Sequence, residues 1–271
     1  MNQIYRWLET TKQNVHQRLE RELKREEEKE QMKVILHQVR ENHPEMGCKA
    51  LFKRVNPETM GRDKFFEFYR DYGFKITPKK CFRRTTDSTG VVRFPNLIKD
   101  RELTGVNQVW VSDITYYEIN SKFYYLTFIM DQYSRRIIGY SASKTLKTED
   151  TTIPALKMAM TRIRGDEKVK PIIHSDGGGQ YYSKEFLSLT RGFLRNSMCM
   201  NVYENPHAER INGTIKNSYL KGYNPTNFDE LNRKLSKAVY MYNHEKPHSS
   251  IHDYTPVENE YRLNRELVTL N

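Results

Sequence analysis

The sequence predicts an α/β protein in which a mixed-sheet core follows a helical module. Three observations carry that prediction. Between residues 107 and 143 the stretches VWVSDITYYEI, FYYLTFIMDQYS and RRIIGYSAS are dense in Val, Ile, Tyr, Phe and Thr, which suit a pleated surface. Residues 149 to 164 then set Ile153, Leu156, Met160 and Ile163 on one helical face, and KPIIHSDGGGQYYS reads as a short buried strand entering a Gly-rich turn. Upstream of residue 86 the apolar residues recur at helical spacing instead.

From the start, residues 1 to about 42 read as helix. Residues 1–30 form its charged part, a solvated spacer in which Leu19 and Leu23 are the apolar rungs of the charged middle. Residues 31–85 read as a compact module. Met32, Ile35, Leu36 and Val39 make its first stripe, His43 to Gly47 break the chain, and short helices follow over 48–55 and 61–72, the last stopped by Gly73. Three short helices joined by tight turns resemble a helix-turn-helix unit. Residues 86–105 are a polar connection with Gly and Pro, and a domain boundary is placed there. The core then spans 106–225, with Asn120-Ser121 as a hairpin turn and helices near 183–191 and 206–221. Residues 226–271 are read as a C-terminal helix, from 228 to 243, and a tail that pack on the core.

The formal charge of +11 points to a polyanionic partner, most often nucleic acid. From 31 to 100 there are 15 Lys and Arg against 8 Asp and Glu, a local excess of 15 − 8 = +7. The candidate cations there are Arg62, Lys64, Arg70, Lys79 and Lys80. No apolar run approaches the ~20 residues of a spanning helix, and the opening MNQIYRWLETTKQ has no signal-peptide core. The cysteines Cys48, Cys81 and Cys199 are scattered and unpaired by motif, which suits a reducing, cytoplasmic setting and no zinc cluster.

The chemistry is expected at carboxylates. Asp113 lies inside an apolar strand, where a charge is costly unless paired, protonated or metal-bound. Asp176 stands where a strand gives way to three glycines, and carboxyl ends of strands are where α/β sites gather. Glu209 sits on a helix in ENPHAERINGTIK. Three such acids fit hard cations, Mg²⁺ or Mn²⁺, and two ions ~4 Å apart can serve both attacking and leaving oxygens of a phosphodiester. On residue type alone, an Asp after a strand is more often a cap or turn residue than a metal ligand.

The run from Trp110 to Pro256 resembles the integrase core of bacterial OrfB-type insertion-sequence transposases, relatives of retroviral integrases. The matching blocks are VWVSDITYY, DQYSRRIIGYS, IIHSDGGGQYYS, ENPHAERINGTIK and YNHEKPHSSIHDYTPVE. The resemblance implies a ribonuclease H-like fold and an Asp-Asp-Glu triad, which falls on Asp113, Asp176 and Glu209 as catalytic residues and metal ligands. Asp176 to Glu209 is 209 − 176 = 33 positions, slightly short for the family, and leaves Glu204 as the rival third acid. Glu209 is favoured because it lies inside the helical match. The family's basic residue seven positions on falls on Lys216, expected on the same helical face and over DNA phosphate. His174 resembles the family's His-Ser-Asp and is expected to support the site from behind. Tyr181, Tyr182 and Asn205 are expected to flank DNA. Asp131 is read as a buried structural partner of Arg135 or Arg136, and the closing YNHEKPH either packs the last helix or touches DNA.

The function so implied is a transposase that cuts and joins DNA at the ends of a mobile element. A homo-oligomeric synaptic complex, an OrfA-type partner and a nucleoid-associated location belong to the same expectation. The rivals are a nuclease of this fold without strand transfer, and a DNA-binding protein descended from a transposase.

Overall fold

The computed structural model describes residues 10–76, 94–163, 170–199 and 205–269, with side chains as far as 263. The chain divides into two compact units, Met1–Thr77 and Pro78–Asn271.

The first unit is helical. Helix α1 spans Lys12–Asn42, α2 Cys48–Val55 and α3 Arg62–Asp71. Thr11 caps α1 by accepting from the Asn14 N–H at 3.1 Å. Leu19 and Leu23 are exposed, and α1 buries only Met32 and Leu36, as its charged sequence requires. Those two meet Met46, Leu51, Phe65, Phe68 and Tyr69 in a small core. Arg40 closes it, donating to Pro44 O at 2.6 Å and to Tyr69 Oη and Phe74 O at 3.0 Å each.

The second unit is built on a five-stranded sheet. Its strands are β1 Val109–Ile119, β2 Lys122–Asp131, β3 Ile137–Ser143, β4 Ile172–Ser175 and β5 Arg195–Met198, ordered β3-β2-β1-β4-β5. The first three are antiparallel neighbours, and β4 and β5 add in parallel. The mixed α/β class is therefore as expected. Asn120 and Ser121 make the β1–β2 turn with φ of 50° and 60°, the left-handed pair a two-residue hairpin needs. Strand β5, RNSM, was not anticipated: four residues with one apolar side chain carry no strand periodicity, and parallel pairing to β4 supplies the order.

Helices cover both faces. On one lie α4 Thr152–Met160 and α5 Lys184–Thr190, over Trp110, Ile129 and Ile173. On the other lie α6 Pro206–Gly213 and α7 Phe228–His244, over Val109, Val111 and Phe128. Alternation along β1 divides Trp110 from Val109 and Val111. At Gly139 a Cβ would stand 2.2 Å from Ala155 O, so glycine there lets α4 lie directly on β3. After α6 the helix continues as a π-helix over Thr214–Leu220 and ends in one α-turn, Lys221–Tyr223.

The closing motif packs the last helices. Asn243 presents its side-chain amide to the β3 backbone, accepting from Ile137 N and donating to Ile137 O, each at 2.9 Å. Helix α8, Pro256–Thr269, brings Glu260 against both Arg136 and Arg162. Asp131 is buried as expected, with different partners: its carboxylate accepts from Ser134 N and Oγ and from Asn107 N, each at 2.7 Å. Turn N–H groups replace the arginines because Arg136 is held by Glu260 and Arg135 meets His207 Nδ1 at 2.6 Å. Residues 94–103, expected within a polar connection, lie on this unit: Leu97 N donates to Ser197 Oγ at 2.9 Å and the Phe94 ring meets Tyr182. Among the described residues no helix is long and apolar enough to cross a membrane.

Candidate active site

Register brings two of the acids together. Parallel pairing sets Val111 beside His174, so Asp113, two residues on in β1, and Asp176, just past the end of β4, come out at the same edge of the sheet, near enough for Asp176 to act on the Asp113 carboxyl. Adjacent strands lie ~4.8 Å apart. Asp113 continues inside β1 opposite Phe128, whereas Asp176 follows the last residue of β4. Its Oδ1 accepts from Gly178 N at 3.1 Å, and a Cβ on Gly178 would crowd that oxygen.

The third acid arrives on α6. Ala208, Ile211 and Asn212 of this helix are buried against the sheet, and Asn212 Nδ2 donates to Asp113 Oδ2 at 2.6 Å. Glu209 stands three residues earlier, exposed at the rim. Burial pushes the Asp113 carboxyl up to about 7; Asp176 and Glu209 push the same way, and the N–H of Ile114 and the amide of Asn212 oppose them. Burial also raises Asp176, against the Gly178 N–H. Among the described residues no Lys or Arg forms an ion pair with any of the three. Among the described residues the three acids are not neutralised by a protein cation.

The donor set is oxygen only, which suits a hard divalent cation. Among the described residues no three His, Cys, Asp or Glu side chains already converge closely enough to hold an ion. Asp113 is held within β1 and Asp176 at the end of β4; Glu209 would have to swing inward to share an ion with them. Glu209 is exposed, so its side chain has room to move; ordering it costs up to about 2 kcal/mol of side-chain entropy, and a bound cation would offset the added repulsion between carboxylates. The residues fit the cation on those terms.

Two profiles described as integrase core domain match residues 104–193 and 199–256. A putative transposase of the insertion sequence IS986/IS6110 from Mycobacterium tuberculosis is 30% identical over 197 residues, covering 69% of this chain and 70% of that protein. The chain belongs to the insertion-sequence transposases. It is a DNA-cleaving and DNA-joining enzyme of the integrase-core class. An uncharacterised 31 kDa protein of insertion element IS600 from Shigella sonnei is 29% identical over 260 residues, 93% of this chain and 91% of that one. The magnesium-bound catalytic core of HTLV-2 integrase, a solved structure, is 24% identical with a TM-score of 0.48, over 59% of this chain and 99% of that one.

In the transposase several expected DNA contacts lie elsewhere. Tyr181 is buried, its hydroxyl 2.8 Å from Ser112 Oγ, so it is a core residue and cannot flank DNA. Asn205 is buried too, donating to Ser112 O at 3.0 Å. Lys216 does not reach out along the α6 axis: Nζ donates to Thr115 Oγ1 at 2.8 Å and Tyr116 O at 3.1 Å. The π-helical turn from Thr214 changes the register that a continuous α-helix would keep over seven residues. His174 is buried, with Nδ1 at 2.9 Å from Ser197 Oγ and Nε2 at 3.1 Å from Cys199 Sγ. Arg62, Lys64 and Arg70 are exposed on α3, with Arg62 against Asp63 at 2.9 Å. Lys79, Lys80 and Glu204 fall outside the described residues. The residue not anticipated as a site member is Asn212. Its signal was available: three positions after Glu209 on a helix is the neighbouring position on the surface.

Proposed function

We propose that Asp113, Asp176 and Glu209 are the catalytic carboxylates of this transposase and bind Mg²⁺ or Mn²⁺, two ions in the working site. The observation that supports the reading is the parallel pairing of β1 with β4, which brings Asp113 near Asp176 at the end of β4, with the Glu209 helix tied to Asp113 through Asn212. Bound there, the cations would polarise the scissile phosphate and favour the deprotonated nucleophile.

The chain's own part is positional. Asp113 and Asp176 offer oxygens from a rigid sheet, and Asn212 keeps the Asp113 carboxylate turned toward α6. Water displaces the 3′ oxygen from a phosphate at the element end, and the released 3′ hydroxyl then attacks a target phosphate, displacing the target strand's own 3′ oxygen. No covalent enzyme intermediate is formed, so positioning and charge stabilisation do the work. The exposed cations Arg62, Lys64 and Arg70, with Lys79 and Lys80, bind the element ends. A second copy of the chain and an OrfA-type protein complete the assembly.

Incubating the full chain with Mg²⁺ and labelled element-end DNA tests this. Joined products support the transposase, cleavage without joining supports a nuclease of the same class, and binding without either supports a DNA-binding descendant.

A further inference from the structure

Three cations gather at one flank of α6. Arg135, in the turn after β2, is half-buried, and its Nη1 lies 2.6 Å from His207 Nδ1. A guanidinium has no acceptor, so Nδ1 accepts and the imidazole is neutral. Arg210 is exposed and stands three residues beyond His207 on α6, its neighbour on the helix surface. Lys246, half-buried in the turn after α7, is the third. Lys246 and Arg135 both act as positive neighbours on His248, whose ring meets Tyr242 at 4.6 Å, and Arg135 and Arg210 both act on Tyr242. Among the described residues none of the three forms an ion pair. Asp131 does act on Arg135, but its oxygens are taken by Ser134 and Asn107. Glu245, next to Lys246, acts on Tyr219, Tyr223 and His244. The C-terminus of α7 offers only about half a negative charge. Like charges held together and partly withdrawn from water repel one another, and an anion placed among them removes that cost.

Position says which anion. The buried Ala208, Ile211 and Asn212 mark the inner face of α6. At about 100° per residue, Glu209 falls on one flank of that face and His207 on the other. The helix itself, ~10 Å across, therefore divides the cations from the acids. That is about three nucleotide steps of ~3.4 Å along a DNA strand. We infer that Arg135, Arg210 and Lys246 together hold one phosphate of the DNA backbone, away from the scissile bond, with His207 as the neutral prop that aims Arg135. A backbone contact of this kind fixes the register of the strand and reads no sequence. The three are positioning residues, because the bond that breaks lies on the other flank. This inference rests on the proposed active site for that distance alone.

The test is binding of the full chain, in EDTA, to a duplex of random sequence over a range of salt. Arg210→Gln and Lys246→Gln should each weaken binding about five-fold, the worth of one net hydrogen bond. Because they share one phosphate, the double variant should flatten the slope of log affinity against log salt by about 0.9. Arg210→Lys, which keeps the charge, should keep the wild-type slope. A slope unchanged in the double variant would overturn the site, and a fall of about 1.8, the mark of two separate phosphates, would overturn its sharing. Without DNA, Lys246→Gln should melt no lower than wild type, since it removes a repelling charge. A lower melting temperature with unchanged duplex binding would make Lys246 a packing residue and overturn the proposal. So would inorganic phosphate that raises the wild-type melting temperature, against chloride of equal ionic strength, while both single variants bind duplex normally; the site would then serve a free anion. None of these readings needs metal, so the carboxylate triad stands or falls separately, on joining.

Discussion

Asn212 and Asp113 are joined across the site: the Asn212 amide, from the Glu209 helix, donates to Asp113 Oδ2 at 2.6 Å. This one bond relates the third acid to the first.

The bond makes a testable contrast. Asn212→Ala should cost about 1 kcal/mol, the worth of a buried hydrogen bond. Asn212→Asp instead adds a fourth carboxylate against Asp113 and should be less stable than Asn212→Ala in EDTA. Millimolar Mg²⁺ should close the gap. Thermal unfolding of both variants with and without Mg²⁺ checks this; a gap that Mg²⁺ leaves unchanged would mean that the cation does not sit there.

Asp113→Asn should stabilise the protein in EDTA while abolishing cleavage. In the folded chain Asp113 holds its proton up to about 7, against an ordinary value of 3.8. Folding therefore takes up a proton over that window, and the stability Asp113 confers is present below 3.8 and lost as pH rises through about 7. At pH 8 the wild type carries a partly buried charge, without an ion-pair partner among the described residues, that the amide lacks. Melting temperatures at pH 8 decide it: a variant less stable than wild type would contradict the charge argument.

His248 sets an opposite dependence. Burial, then Lys246, lowers it to about 3, below its ordinary 6.5. A base lowered by folding contributes stability that is present above 6.5 and lost as pH falls through the window toward 3. Its ring lies 4.6 Å from Tyr242, a contact phenylalanine can keep. The difference in melting temperature, His248→Phe minus wild type, should grow as pH falls from about 7.5 to 5, and a flat difference would remove His248 as a source of acid lability.

Gly139→Ala should destabilise by about 3 kcal/mol or more, since the new methyl would meet backbone that cannot yield without moving α4. Urea unfolding measures it; a change under about 0.5 kcal/mol, the range of an innocuous surface substitution, would contradict the packing described.

Much of this architecture was legible beforehand, for local reasons. The β1–β3 meander announces itself through β-branched and aromatic density, and the hairpin turn through Asn120-Ser121. The acids were legible as anomalies: Asp113 within an apolar strand and Asp176 at a strand end. What was not legible depends on tertiary register. Nothing local shows that β4 pairs in parallel with β1, which brings Asp176, at the end of β4, near Asp113. Tyr181 looks like a surface aromatic beside a Gly-rich turn until the Ser112 hydroxyl is found beneath it. Lys216 keeps step with Glu209 only on an unbroken α-helix, and the π-turn over Thr214–Leu220 ends that step. Arg135 and Arg136 sit near Asp131 in sequence, yet turn N–H groups reach it first.

The central claim, that Asp113, Asp176 and Glu209 act as one cation-binding set, is tested most directly by Mg²⁺-dependent joining of labelled element ends by Glu209→Gln and Glu204→Gln, alongside DNA binding in EDTA. Glu209→Gln should bind DNA like wild type and lose joining by at least about a thousand-fold, in the range seen when a core catalytic group is removed, with Glu204→Gln near normal. Near-normal joining by Glu209→Gln, with loss in Glu204→Gln, would place the third acid at the wrong residue and contradict the site described here.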